Sequence, residues 1–249
     1  MVDTQRIASL VSPYRRHIWL IAGPKSGSTW LGAMLLDVLK WPRVPLLDCY
    51  DRREQEVDVR MLLQHPNEDI FTPHQHTRAS QPTLNIIRLF RMIPIISVRN
   101  IFDSIISVRD HLYRETPIIP MAYFDQTYFE LGEADQLSAL VDLWAPWYLN
   151  FYVSWYKAER HGLCDLHWVT YEALVKDPFG RVKRVLQHAG VSRPDEDIRR
   201  AVAASKKQDT RKNVGQTGRG ESTLCDAHKE RIRRLTRYYP DVDFSTIGL

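Results

Sequence analysis

Residues 20–35, LIAGPKSGSTWLGAML, pass from an apolar strand-like run through a turn rich in glycine and hydroxyl side chains into a helical pattern. Strand, tight glycine loop and helix N-terminus in that order make a phosphate-binding loop. Its lysine is misplaced for a nucleoside triphosphatase, whose pattern G-x-x-x-x-G-K-[ST] sets lysine directly after the second glycine. Here Lys25 precedes Gly27, while Ser28 and Thr29 follow it. Gly23 and Gly27 let the backbone bend closely around a ligand, and the amides of Ser26 to Thr29 point from a helix N-terminus toward an anion, where the helix dipole favours negative charge. Lys25 adds a movable charge suited to an oxygen that becomes more negative as a bond breaks. Taken alone, the stretch also reads as an ordinary Gly/Ser turn with a solvated lysine.

HIWLIAG, MIPIISVR and DLHWVTYE are short apolar runs with polar ends, as buried parallel strands are, and the first two lead into helical patterns. In the first helix Trp30, Leu31, Met34, Leu35, Val38 and Leu39 recur at intervals of three and four, giving one broad apolar face that ends before Pro42. The aromatic segment from Leu137 to Arg160 has helical spacing, with Pro146 kinking it or opening a second helix. Its aromatic stripe reads as core. A last amphipathic helix precedes Pro240.

Alternating strands and helices predict an α/β fold, a single-domain three-layer sandwich with a mostly parallel central sheet and a P-loop-like loop. No repeat or linker divides the 249 residues, so 1–249 reads as one domain, with a core at about 17–220 and a C-terminal helix and tail at 221–249. Ligands of such sheets sit beyond the carboxyl ends of the strands.

Two further elements seek anions. In ISVRNIFDSIISVRDH, Arg99 closes a strand, Asn100 is placed to cap a helix with Asp103 three residues on, and Ser104 and Ser107 share a helix face. A surface ion pair is the alternative for Arg99. DTRKNVGQTGRGES is basic and glycine-punctuated; Arg211, Lys212 and Arg219 supply charge and Gly215, Gly218 and Gly220 supply freedom to close over a polyanion. An exposed surface loop is the alternative there.

PKSGSTW resembles the 5'-phosphosulfate loop of sulfotransferases that use 3'-phosphoadenosine 5'-phosphosulfate (PAPS), of the form P-K-[SA]-G-[ST]-[ST]-W. VRNIFDSIISV resembles that family's 3'-phosphate motif, in which an arginine precedes a serine by eight residues, as Arg99 precedes Ser107. TRKNVGQTGRG is similar to its late R-K-G-x-x-G segment, with Asn213 standing where the glycine is usual. VTYEALVKDP resembles the stretch Y-E-x-x-x-x-D-P, whose tyrosine lies near adenine. The four occur in the family's order across residues 18–220. The resemblance implies that Lys25 contacts the sulfate and bridging oxygen, that Ser26, Gly27, Ser28 and Thr29 cradle the phosphosulfate, and that Trp30 stacks on adenine. It also implies that Arg99, Ser107 and Arg211, with Lys212 and Asn213 beside it, hold the 3'-phosphate, and that Tyr171 approaches the purine. The product is then adenosine 3',5'-bisphosphate (PAP), and the chemistry requires no metal.

Sulfuryl transfer to a hydroxyl needs in-line geometry and a base, for which histidine is suited near neutral pH. DIFTPHQHTRAS offers His76 and His74, of which His76 is preferred. His65, His74 and His76 as a metal set lack a carboxylate or cysteine at useful spacing. The rival readings are an ATP/Mg kinase, against which the lysine position stands, and a non-catalytic binder of a 3'-phosphorylated nucleotide. The acceptor is a small molecule, lipid or carbohydrate bound by loops within 42–82 and 109–135, with a hydroxyl favoured over an amine. The formal charge of +4 comes without a nucleic-acid-binding motif, so no nucleic-acid partner is expected. Three scattered cysteines and no run long enough to span a membrane point to a reducing, cytoplasmic setting. Oligomeric state is left open.

Overall fold

The three apolar runs and one further segment pair side by side as β1 (His17–Ala22), β2 (Ile70–Gln75), β3 (Met92–Val98) and β4 (His167–Thr170). All pairings are parallel, in the order β2-β1-β3-β4. The computed structural model describes residues 4–47, 57–116, 119, 121–205 and 217–249. The helices are α1 (Thr4–Ser9), α2 (Ser28–Leu39), α3 (Gln81–Phe90), α4 (Ile101–Arg114), α5 (Gln126–Glu130), α6 (Glu133–Ala139) and α7 (Ala145–Arg160). They continue as α8 (Tyr171–Lys176), α9 (Pro178–His188), α10 (Asp195–Ser205), α11 (Arg219–Thr223) and α12 (Asp226–Thr236).

Side chains alternate across the sheet and so create two cores. Ile18, Leu20, Phe71, Ile95 and Val169 face one side, where α2, α8, α9 and α10 pack. Trp19, Ile21, Ile70, Ile96 and Val98 face the other, against α3, α4, α6, α7 and α12. The result is the expected three-layer sandwich. Leu31, Met34, Leu35, Val38 and Leu39 of α2 are all buried, each contributing roughly 1.5–3 kcal/mol. That helix stops at Lys40, whose left-handed backbone (φ 57°) turns the chain before Pro42 is reached.

Three local outcomes refine the sequence reading. IFTPHQ is a strand rather than a connecting loop; it lies at the sheet edge, where Pro73 costs only one ladder hydrogen bond and the register against β1 slips from Trp19↔Thr72 to Ile21↔Gln75. The aromatic segment runs through a π-turn at Leu140–Trp144 into α7, with Pro146 in that helix's first turn, where its missing N–H is tolerated. Residues 219–223, read as irregular, form the short helix α11. Among the described residues no helix is long and apolar enough to cross a membrane.

The chain leaves β1 for β2 on one side, then returns to place β3 on the other. The crevice beyond the carboxyl ends of β1 and β3 is therefore the switch point where such sheets bind ligands. Both Lys25 and Arg99 follow these two strand ends.

Candidate active site

The loop after β1 is shaped by two left-handed residues, Lys25 (φ 62°) and Gly27 (φ 77°). A lysine in that region is strained, and such strain is held where surrounding packing enforces it. A Cβ on Gly27 would lie 2.7 Å from the Tyr171 ring, and one on Gly23 would lie 2.6 Å from the Tyr148 ring. Both glycines thus let two aromatic rings close onto the loop. Gly27 begins α2 with no side chain capping it among the described residues, which leaves the first-turn amides of the helix to serve an anion. Ser26 is fully buried, and its hydroxyl has no hydrogen-bond partner among the described residues. A buried orphan hydroxyl at this turn suits a ligand oxygen. Behind it, Ser97 Oγ donates to the Ser26 carbonyl at 3.2 Å.

At the end of β3 the Tyr148 hydroxyl grips the Arg99 main chain: it accepts from Arg99 N at 2.8 Å and donates to the Arg99 carbonyl at 2.7 Å. Full burial pushes the Tyr148 hydroxyl well above its ordinary pKa, so it stays a neutral donor. The Arg99 guanidinium, only 6% exposed with its residue, lies 4.3 Å over the Tyr171 ring. Its Nη1 donates to the Lys25 carbonyl in a long bond of 3.4 Å, and its Nη2 is 3.7 Å from Asp103 Oδ2. Loop and arginine therefore share one crevice. Burial also raises the Tyr171 pKa, against the opposing pull of Arg99.

Asn100 caps α4 by accepting from Phe102 N and Asp103 N. The capping box is not completed by Asp103, because Glu172 Oε1 accepts the Asn100 N–H at 3.0 Å. Asp103 instead accepts from Gly220 N at 2.7 Å and Gly218 N at 2.8 Å. Ser107 is buried in the second turn of the same helix.

On the open side, Lys25 Nζ is 3.2 Å from Glu115 Oε1, and His111 Nδ1 is 3.1 Å from the same oxygen. Burial works to raise the Glu115 pKa, but His111 and Lys25 outweigh it and hold this carboxyl below its ordinary range. His76 Nδ1 lies 2.7 Å from the carbonyl of Ala22, the residue that ends β1. A carbonyl only accepts, so Nδ1 carries the proton, and the basic lone pair of the neutral form would lie on Nε2. Trp147 packs edge-on to this ring at 6.4 Å, and the His74 ring is 5.8 Å from it.

Of the residues expected from sequence, Lys25, Ser26, Gly27, Arg99 and Tyr171 meet directly, and Ser28, Thr29 and Trp30 continue the loop into α2. Trp30 Nε1 donates to Ser205 Oγ at 2.9 Å, which ties the loop to the end of α10. Arg211, Lys212, Asn213 and Gly215 lie outside the described residues. Arg219 pairs with Asp110 at 2.7 Å. The sequence reading assigns no role to Tyr148, Glu115, His111 or Glu172; Tyr148 lies within the aromatic segment whose stripe reads as core.

Residues 15–234 match the family profile described as the sulfotransferase domain. No curated protein sequence matches the chain. Solved structures share its fold: mouse sulfotransferase SULT7A1 complexed with PAP has a TM-score of 0.64 at 15% identity, covering 97% of this chain and 91% of that one. Retinol dehydratase in complex with androsterone and inactive cofactor PAP gives 0.58 at 13%, covering 97% and 85%. The same enzyme with retinol and PAP gives 0.55 at 13%, covering 97% and 86%. With the family profile spanning all four strands and the whole crevice, this chain belongs to the sulfotransferase domain family, and sulfuryl transfer is its chemistry.

Proposed function

We propose that the protein moves a sulfuryl group from PAPS to a hydroxyl of a small apolar acceptor, releasing PAP. The observation that carries this reading is the meeting of Arg99 Nη1 with the Lys25 carbonyl at 3.4 Å: one adenosine nucleotide anionic at both its 5' and 3' ends can engage both residues at once. The orphan Ser26 hydroxyl and the uncapped start of α2 support binding of the 5' phosphosulfate. Arg99, stacked on Tyr171, supports binding of the 3'-phosphate, which ATP lacks. A charged contact that only a 3'-phosphorylated nucleotide can make discriminates against one that lacks the phosphate.

In this reading the first-turn amides of α2 and the Lys25 ammonium stabilise charge on the leaving phosphate oxygen. His76, oriented by the Ala22 carbonyl, takes the acceptor's hydroxyl proton on Nε2 as the new S–O bond forms. Trp147 shields one edge of that ring. The androsterone and retinol bound by retinol dehydratase are hydroxyl-bearing apolar molecules. A comparable acceptor is the one proposed here.

Thermal unfolding tests the donor. A ligand at a hundred times its dissociation constant adds about 2.7 kcal/mol of stability. PAP without metal raises Tm, while ATP with magnesium does little; the reverse ranking favours a kinase. Binding of PAP without transfer from PAPS to any hydroxyl in an apolar acceptor panel favours a non-catalytic binder.

A further inference from the structure

Asp103 is 3% exposed, and a buried carboxylate persists only where its oxygens are matched. Oδ1 accepts the Gly220 N–H at 2.7 Å, Oδ2 accepts the Gly218 N–H at 2.8 Å, and Oδ2 lies 3.7 Å from Arg99 Nη2. The approach of this glycine turn is exacting. A Cβ on Gly220 would sit 2.1 Å from the Phe102 carbonyl carbon and 2.4 Å from its oxygen, and Gly218 has φ 84°. Between them Arg219 reaches along α4 to Asp110 at 2.7 Å, a second pin that presses α11 onto α4.

We infer that Asp103 is a positioning residue for recognition of the donor's 3'-phosphate, holding the Arg99 fork and the Gly218–Gly220 turn in one fixed arrangement; the inference rests on the reading of Arg99 given above. Tyr171 restrains the guanidinium from its face and Asp103 from its edge, so the fork is set before an anion arrives. Repulsion between Asp103 and a phosphate is limited, because its charge is spread over two main-chain amides and sits in the first turn of α4, where the helix dipole favours an anion. The carboxylate thus holds the arginine without cancelling it. Asparagine would keep one acceptor but turn an NH2 toward the other glycine amide, breaking the clasp on one side.

The test is calorimetric titration of the full chain and its Asp103→Asn variant with PAP and with AMP, together with donor kinetics. The wild-type chain should prefer PAP strongly, and the variant should lose about tenfold of that preference or more. The loss should appear in donor KM more than in kcat. A variant that melts earlier yet keeps the wild-type PAP-to-AMP ratio overturns the inference, since a merely structural role lowers the folded fraction without changing that ratio. Should Asp103→Asn fail to fold, Asp103→Glu keeps both acceptors while moving them by one methylene, and an unchanged ratio there overturns the inference equally. A wild-type chain that binds AMP as tightly as PAP removes the 3'-phosphate reading itself, and the inference with it; discrimination retained by wild type and variant alike removes only the role of Asp103.

Discussion

Lys25 Nζ stands 3.2 Å from Glu115 Oε1, with the two side chains 15% and 19% exposed, so the lysine of the loop between β1 and α2 is paired to a carboxylate at the far end of α4. A carboxylate there faces the negative end of the helix dipole and depends on the Lys25 ammonium and the His111 ring beside it. Under the proposed function, a bound donor would compete with Glu115 for the same ammonium.

Glu115→Gln should therefore tighten PAP and PAPS binding, by about two- to fivefold given the partial exposure of the pair. Titration calorimetry at low salt reads this directly. Weaker binding in the variant would mean that Glu115 aligns Lys25 for the donor instead of holding it back.

For the base, His76→Ala should lower kcat by about a hundredfold or more while leaving PAP affinity close to that of the wild type. The acid limb of the kcat profile should go with it, because that limb reports protonation of Nε2. His74→Ala should retain the limb. Loss of the limb in His74→Ala and its survival in His76→Ala would reassign the base.

Arg99→Ala leaves Tyr171 and Asp103 without the group between them and the 3'-phosphate without its fork. PAP binding should weaken by about thirtyfold or more, as expected when one partner of a buried charged contact is truncated. AMP binding should change by less than about threefold. Equal losses for the two nucleotides would detach Arg99 from the 3'-phosphate.

A pH effect on stability follows from His17, which is wholly buried at the start of β1. The Thr72 hydroxyl gives its hydrogen to the Val44 carbonyl, so His17 Nε2 must donate to Thr72 Oγ1, at 2.7 Å. Nδ1 has no hydrogen-bond partner among the described residues. Burial first, and then the charge of Arg15, hold the ring well below its ordinary pKa. The unfolded chain takes up this proton below about pH 6.5 while the folded chain does not, so stability is complete above that pH and declines as pH falls, by up to about 1.4 kcal/mol per unit from this group. His167 and His228 are lowered as well, chiefly by burial, and add to the decline with the same sign. Urea unfolding at pH 7.5 and 5.5 should show a smaller difference for His17→Gln than for wild type, whatever its stability at pH 7.5. An unchanged difference would place the acid sensitivity elsewhere.

From the sequence alone come the β1–loop–α2 unit, the strand ending at Arg99 and the sulfotransferase resemblance, since torsion preferences, glycine placement and apolar spacing act between near neighbours in the chain. IFTPHQ escaped because a proline and polar residues mask a strand that needs only one paired neighbour at a sheet edge. The sequence likewise offers Asp103 to a local capping box, yet two amides more than a hundred residues away claim it, and Glu172 takes the vacated role. Tyr148 on the Arg99 main chain and Glu115 on Lys25 are of the same kind, joined across 49 and 90 residues. Which residues carry the charges is written in short motifs; which partner each polar group finds was decided only when packing brought distant segments within hydrogen-bond reach, because a buried donor or acceptor must be satisfied by whatever the fold sets beside it.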